Sequence, residues 1–178
     1  MWALVESGSV TKIYTRPKAI TAGDVNYPSN IFMLWSSSEL EAIGIYEVVI
    51  DNSNFKDQEY YINTNQTFAF ADGVVTASYG TATAKTLADL KTNHKTVVNE
   101  LGALVLTLTD WMVVRAAEGG TAVPSSITTK RAAVRTKANA MCTAIDNAAN
   151  VDALAALYVY NDATPPVKPL GDFPILGA

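Results

Sequence analysis

Few residues in this chain stand where chemistry could be done. His94 is the one histidine, and it falls on the apolar seam of a long helix-forming stretch. It reads either as a polar layer that fixes register or oligomeric state, in its sharpest form an ion site shared around a symmetry axis, or as a half-exposed histidine in a frayed first turn. The second is the plainer reading. An apolar seam is poor ground for a general base, so Ser–His–Asp catalysis is disfavoured. Cys142, the one cysteine, lies on Ala-rich sequence far from His94 and can form no internal disulfide. Lys130, Arg131, Arg135 and Lys137 concentrate positive charge. They suit an acidic or phosphate-bearing partner, but an internal ion-pair network of Asp110 with Arg131 and Arg135 is the stronger reading, with Glu118 near the same helix start. Tyr46, Tyr60 and Tyr61 could offer ring faces to a carbohydrate, though no paired carboxylates accompany them. Glu118-Gly119-Gly120 closes a helix instead of following a strand, so it is not a phosphate loop. The expectation is a protein that is not an enzyme, with no catalytic residue, no metal and no cofactor.

The elements that position these residues are two helices. Over residues 84–118, Leu87, Leu90, His94, Val97, Leu101, Leu104, Leu108, Trp111 and Arg115 recur at alternating steps of three and four, a heptad seam. Val98, Val105 and Met112 widen it. Gly119-Gly120 and Pro124 end the helix, and Ser125 or Ser126 can cap the next. Residues 127–148 repeat the spacing through Ile127, Arg131, Val134, Ala138, Met141, Ile145 and Ala148. A short linker between matching seams predicts an antiparallel hairpin. At 1.5 Å per residue the first helix is roughly 50 Å long and the second roughly 33 Å, so the start of the seam needs other cover. Candidates for that cover are the short helix near residues 151–158, the N-terminal domain, or copies of the same chain assembled as a trimer; Trp111 and Trp35 are read as core anchors.

Residues 1–80 carry the turn and strand signals of a small β-rich docking domain. Runs at 2–6 and 10–14 flank Ser7-Gly8-Ser9, and Asp72-Gly73 is a strong hairpin turn. Ile31 to Trp35 reads as a buried extended segment. Ser36 with Glu39 has capping-box spacing ahead of a short helix that Gly44 ends. After a short helix capped by Asn150, residues 161–178 hold Pro165, Pro166, Pro169 and Pro174 and read as an extended tail anchored by Phe173, Ile175 and Leu176. The fold class expected is therefore α+β, with domains at 1–80, 84–158 and 161–178.

The chain has 178 residues, 49% hydrophobic and 17% charged, with 13 basic and 17 acidic residues for a net charge of −4. This balance argues against nucleic acid as a partner. Charge so sparse leans towards surface buried on partners. No apolar run reaches the ~18 residues of a membrane span. Met1-Trp2-Ala3-Leu4-Val5-Glu6 lacks the basic start and apolar run of a signal peptide, so synthesis in a cytoplasm is expected.

The run from Asp110 to Pro124 (Asp-Trp-Met-Val-Val-Arg-Ala-Ala-Glu-Gly-Gly-Thr-Ala-Val-Pro), followed by Thr129-Lys130-Arg131-Ala132-Ala133-Val134-Arg135, resembles the helical C-terminal region of bacteriophage tail proteins, the tail-fibre and tail-fibre-assembly-like group. The likeness covers about 45 residues well and reaches more weakly to the N-terminal hairpin and to Tyr27-Pro28-Ser29-Asn30-Ile31-Phe32. Met112 departs from it, since an aromatic residue often follows the tryptophan. The resemblance implies a virion structural protein of fibre or baseplate, made in the host cytoplasm and located in the tail. Its partners would be other phage tail proteins and copies of itself. It carries over no active site. Two rivals stand beside it: a tail-fibre assembly chaperone, which would share the same helices, and a small host- or carbohydrate-binding module using the tyrosines.

Overall fold

The structure is a computed structural model that describes residues 1–175. It is mixed α+β and divides into two compact units, Met1–Thr83 and Ala84–Ala178.

The first unit begins with the hairpin of β1 (Trp2–Glu6) and β2 (Ser9–Tyr14), then β3 (Ile20–Ala22) and β4 (Val25–Tyr27). Helices α1 (Ile31–Leu34) and α2 (Ser37–Ala42) follow, then β5 (Ile45–Asp51), β6 (Tyr61–Ile62), β7 (Gln66–Ala71), β8 (Val74–Tyr79) and the short β9 (Thr83–Ala84). Five strands form one sheet in the order β2-β1-β5-β8-β7. Neighbours are antiparallel except β5 and β8, which run parallel with Val48 opposite Val75. The sheet curls until β2 and β7 approach one another. Its two tight turns, Ser7-Gly8 and Asp72-Gly73, place both residues at positive φ, as the favoured two-residue hairpin turn requires.

Alternation along the strands feeds two cores. Leu4, Tyr14 and Ile45 face Ile31, Phe32 and Leu40 of the two helices. Ala3, Val48, Val75 and Ala77 point to the other face, beside Tyr46, Phe68 and Phe70. Trp2 lies against Phe32 with ring centroids 4.8 Å apart, and Trp35 meets Tyr27 edge-on at 5.6 Å. The segment expected to be extended at Ile31 to Trp35 is instead helical. The amides of Leu34 and Trp35 return to Asn30 and Ile31, and a short apolar run does not by itself distinguish a buried strand from one helical turn.

The capping box of α2 is present in both directions: Ser36 N–H donates to Glu39 Oε2 at 2.8 Å, and Ser36 Oγ accepts from Glu39 N–H. The Ser36 N–H bond first, and after it the Ser36 hydroxyl donating to the same Oε2 at 2.7 Å, hold the Glu39 carboxyl below its ordinary pKa. A depressed folded-state pKa stabilises above the unfolded value and loses that stabilisation as pH falls through the folded one. Replacing Glu39 by Gln should therefore lower the unfolding midpoint at neutral pH, and the gap from the parent chain should close on acidification below the ordinary glutamate range. A gap independent of pH in parallel urea titrations would show that the ionised carboxylate is not the capping species.

The second unit holds α3 (Leu87–Thr107), α4 (Asp110–Ala117), α5 (Ser125–Asn147) and α6 (Val151–Ala156). Helix α3 packs along α5. Residues 84–118, expected as one helix, are thus two, bent by 63° around Leu108 and Thr109. Helix α4 ends as predicted on its glycines: the amides of Gly119 and Gly120 return to the carbonyls of Ala116 and Arg115. Neither Ser125 nor Ser126 caps α5; Pro124 occupies that position, where a missing N–H costs nothing. Asn150 caps α6, its Oδ1 accepting from Ala153 N–H at 2.8 Å. Among the described residues no single helix is long and apolar enough to cross a membrane.

Past α6 the described residues form neither helix nor strand but are tied down. Leu170 is buried and its amide donates to Leu157 O. Lys137 Nζ donates to Leu170 O at 2.9 Å. Lys168 pairs with Asp172 at 3.0 Å, and that bond raises its pKa against the opposing effect of partial burial.

Candidate functional site

The bend between α3 and α4 is built around Arg131. This residue projects from α5 and is only 7% exposed. Its Nη1 donates to Leu106 O at 2.8 Å and to Thr109 Oγ1 at 2.6 Å, and its Nη2 donates to Asp110 Oδ1 at 2.7 Å. Thr109 N–H and Oγ1 also reach Leu106 O. The planar fork of one guanidinium thus joins a carbonyl of the last turn of α3, Leu106 O, to Thr109 and Asp110 at the start of α4. A cation there complements the negative end of α3, and Asp110 complements the positive end of α4. The sequence held a signal for the break: Thr107-Leu108-Thr109-Asp110 places hydroxyls and an acid where a new helix would start.

Of the predicted network, Asp110 and Arg131 are therefore in contact. Arg135 is exposed; its side chain lines an open groove between α3 and α5 with Asn99, Gly102, Leu106, Val134 and Asn139. Lys95 pairs with Asp146 at 2.7 Å, an ion pair the sequence reading did not anticipate.

The predicted seam splits in two. Leu90 and His94 are buried, and Leu87 is partly so. From there the buried row continues by steps of four to Val98 and Gly102, not by heptad steps. Val97, Leu101, Leu104, Leu108 and Trp111 are 51%, 48%, 66%, 68% and 55% exposed. Trp111 is accordingly no core anchor; the Arg115 guanidinium lies over its ring at 4.9 Å. The inward row passes Gly102, where a Cβ would stand in ordinary van der Waals contact with the Phe173 ring, 3.4 Å away, and with Ala138. A hydrophobic pattern passes over glycine, which is why this row escaped the sequence reading. Of the three tail anchors, Phe173 makes this contact and Ile175 is 79% exposed. Leu176 lies outside the described residues.

His94 is not a half-exposed residue of a frayed turn. It is buried, its ring 4.7 Å from that of Tyr158. Cys142 Sγ lies 3.8 Å from Asn99 Oδ1. Among the described residues no group of histidine, cysteine and carboxylate side chains is placed to hold a metal. Tyr60 is buried and so is unavailable to a ligand. Tyr61, however, lines an open basin of about 430 Å³ in the first unit with Phe55, Gln58, Asn63, Asn65 and Tyr79.

Comparison with protein families, with curated proteins and with solved structures finds no match for the chain. Among the described residues the geometry defines a mixed α+β protein with a buried arginine junction, exposed apolar side chains along α3 and α4, and an aromatic basin.

Proposed function

We propose that the chain is a bacteriophage tail-associated structural protein, a fibre or baseplate component that works by packing and partner binding and performs no catalysis. In this reading the β-rich unit docks, α3, α4 and α5 make a helical hairpin that serves as a rigid scaffold, and the Pro-rich segment braces it. One observation carries the proposal. Val97, Leu101, Leu104, Leu108, Trp111 and Val114 are exposed on consecutive turns of α3 and α4, and contiguous apolar surface of this extent marks an interaction site. The resemblance of residues 110–135 to phage tail proteins supplies the setting. Mass spectrometry of purified particles tests it: the protein is expected in the finished virion. Its absence there, with abundance in infected cells, would make it an assembly chaperone instead.

The aromatic basin favours a second reading, a carbohydrate-binding module. Rings of Phe55, Tyr61 and Tyr79 stand beside the side-chain amides of Gln58, Asn63 and Asn65, the mixture that stacks on a sugar face and bonds its hydroxyls. The walls are braced, since Asn63 bonds both backbone groups of Lys56 and Asn54 holds Tyr79 O. Glycan-array binding that Tyr79→Ala abolishes is the expected result; an array without signal would remove this reading.

A further inference from the structure

The basic side chains crowded on α5 are not equivalent. Arg131 bonds Asp110, Lys137 donates to Leu170 O, and Lys130 is engaged as well. Arg135 differs: it is exposed, and among the described residues it makes no hydrogen bond and no ion pair. It stands four residues after Arg131, so the two guanidinia share a face of the helix. There Arg135 lines two clefts at once. One is the groove of about 310 Å³ between α3 and α5, walled by Leu106, Val134 and Ala138. The other, about 220 Å³, is closed by Val113 of α4, by Val123, and by Thr128 and Arg131 of α5.

Charge selects what these clefts would take. Residues 110–137 carry five basic side chains against two acidic ones, Asp110 and Glu118, whereas the rest of the chain carries eight basic against fifteen acidic. Asp110 is spent on Arg131, and neither acid lines either cleft. Arg135 is thus an uncompensated cation between part-apolar walls, in a chain that is acidic elsewhere. A guanidinium so placed matches a carboxylate, whose two oxygens it can hold together. A phosphoryl group brings close to two charges and three acceptor oxygens, more than one unpaired guanidinium answers. Size narrows the choice further. The smaller cleft lies below the ~300–1,000 Å³ of sites that enclose a whole small molecule, and suits one side chain.

We propose that α5 is a docking site for an acidic segment of a partner protein, with an aspartate or glutamate carboxylate on Arg135 and a neighbouring apolar side chain in the groove against Leu106, Val134 and Ala138. The proposal rests on the reading of the chain as a partner-binding protein and names the chemistry of one such partner. Arg131 adds positive potential to the floor of the smaller cleft, but Asp110 already holds its charge, so Arg135 carries the recognition.

The test titrates the full chain into a short dye-labelled peptide of alternating glutamate and leucine and reads fluorescence anisotropy. Saturable binding is expected, weakening as salt screens the exposed charge. Arg135→Gln should weaken it about tenfold or more. Arg135→Lys should recover only part, because an ammonium lacks the fork. Both variants should keep the parent's helical circular dichroism and unfolding midpoint, since Arg135 bonds nothing in its own fold. Arg16→Gln, which removes an exposed arginine of the first unit, should bind as the parent does. No binding at millimolar peptide would overturn the proposal. So would equal losses for Arg16→Gln and Arg135→Gln, which would reduce the effect to net charge, or equal binding of a glutamine–leucine peptide, which would leave the carboxylate no part. Displacement of the peptide by inorganic phosphate at constant ionic strength would overturn it in favour of a free oxyanion, and displacement by oligothymidylate in favour of nucleic acid. None of these results depends on whether the protein is present in particles, so the assignment to the tail fails or stands separately.

Discussion

Replacing Arg131 by Ala should cost the second unit about 2–4 kcal/mol, read as the urea midpoint of helical circular dichroism. The cost has an inner and an outer part. Inside, the guanidinium bonds Leu106 O and Thr109 Oγ1 where the side chain is 8% exposed. Removing it strips a buried hydroxyl and a helix-end carbonyl of a charged donor and leaves a cavity. Outside, Asp110 is 53% exposed, so water screens its ion pair and its share is small. Asp110→Asn should accordingly cost well under half as much. Arg131→Lys should recover only part of the loss, because a single ammonium cannot reach the carbonyl, hydroxyl and carboxylate as the fork does. Lys137→Ala provides the comparison within α5. It removes one bond, to Leu170 O, and should cost about 1 kcal/mol. Equal losses for Arg131→Ala and Lys137→Ala would show that the junction at the bend contributes nothing special.

The same junction marks where the sequence could be read and where it could not. Local chemistry was legible. Ser36 with Glu39, Asp72-Gly73, Gly119-Gly120 and Asn150 each specify a backbone conformation through their own donors, acceptors or allowed angles, and each is found doing so. The contact of Asp110 with Arg131 was legible because opposite charges stand at similar separations on either side of the turn at Gly119-Gly120. What escaped depends on choices between equivalent surfaces. Two rows on α3 share Leu90 and His94 and then diverge, and the buried one passes through Gly102 beside the Phe173 ring. Nothing in a hydrophobic period ranks glycine above leucine. The bend escaped for a related reason. The apolar pattern runs through Leu108 without interruption and overrides the helix-start signal at Thr107-Leu108-Thr109-Asp110, and the side chain that bonds across the break, Arg131, lies on another helix. The parallel pairing of β5 with β8 is likewise a long-range outcome, with β6 and β7 lying between them in sequence. The aromatic basin was half legible. Its ring composition was visible, but the reading chose Tyr60, which the fold buries, and missed Phe55 and Tyr79, which a loop and a strand end bring together at 4.9 Å.

In the first unit, Gly44→Ala should destabilise by about 2–4 kcal/mol, although most glycine-to-alanine changes on a surface are mild. Gly44 joins α2 to β5 at φ +80°. A Cβ there would stand 2.8 Å from Val5 O, a backbone atom of the adjoining strand that no side-chain rotation can move. The carbonyl of Gly44 itself accepts from Val5 N–H at 2.8 Å. Relieving the clash therefore stretches a bond between the helix end and the sheet. It does so beside the irregularity at Leu4 and Val5 in the pairing of β1 with β2. Gly8 separates the two contributions. It has nearly the same backbone angle, φ +77°, yet nothing lies within 4 Å of its added Cβ. Gly8→Ala should show only the cost of the left-handed conformation, about 1–2 kcal/mol, and the excess at Gly44 measures the contact with β1. Urea unfolding followed by Trp2 and Trp35 emission, in a Trp111→Phe background, reads this unit. If the two alanine variants lose the same stability, the close approach of Gly44 to Val5 is relaxed without cost, and the link from α2 to the sheet is looser than its geometry implies.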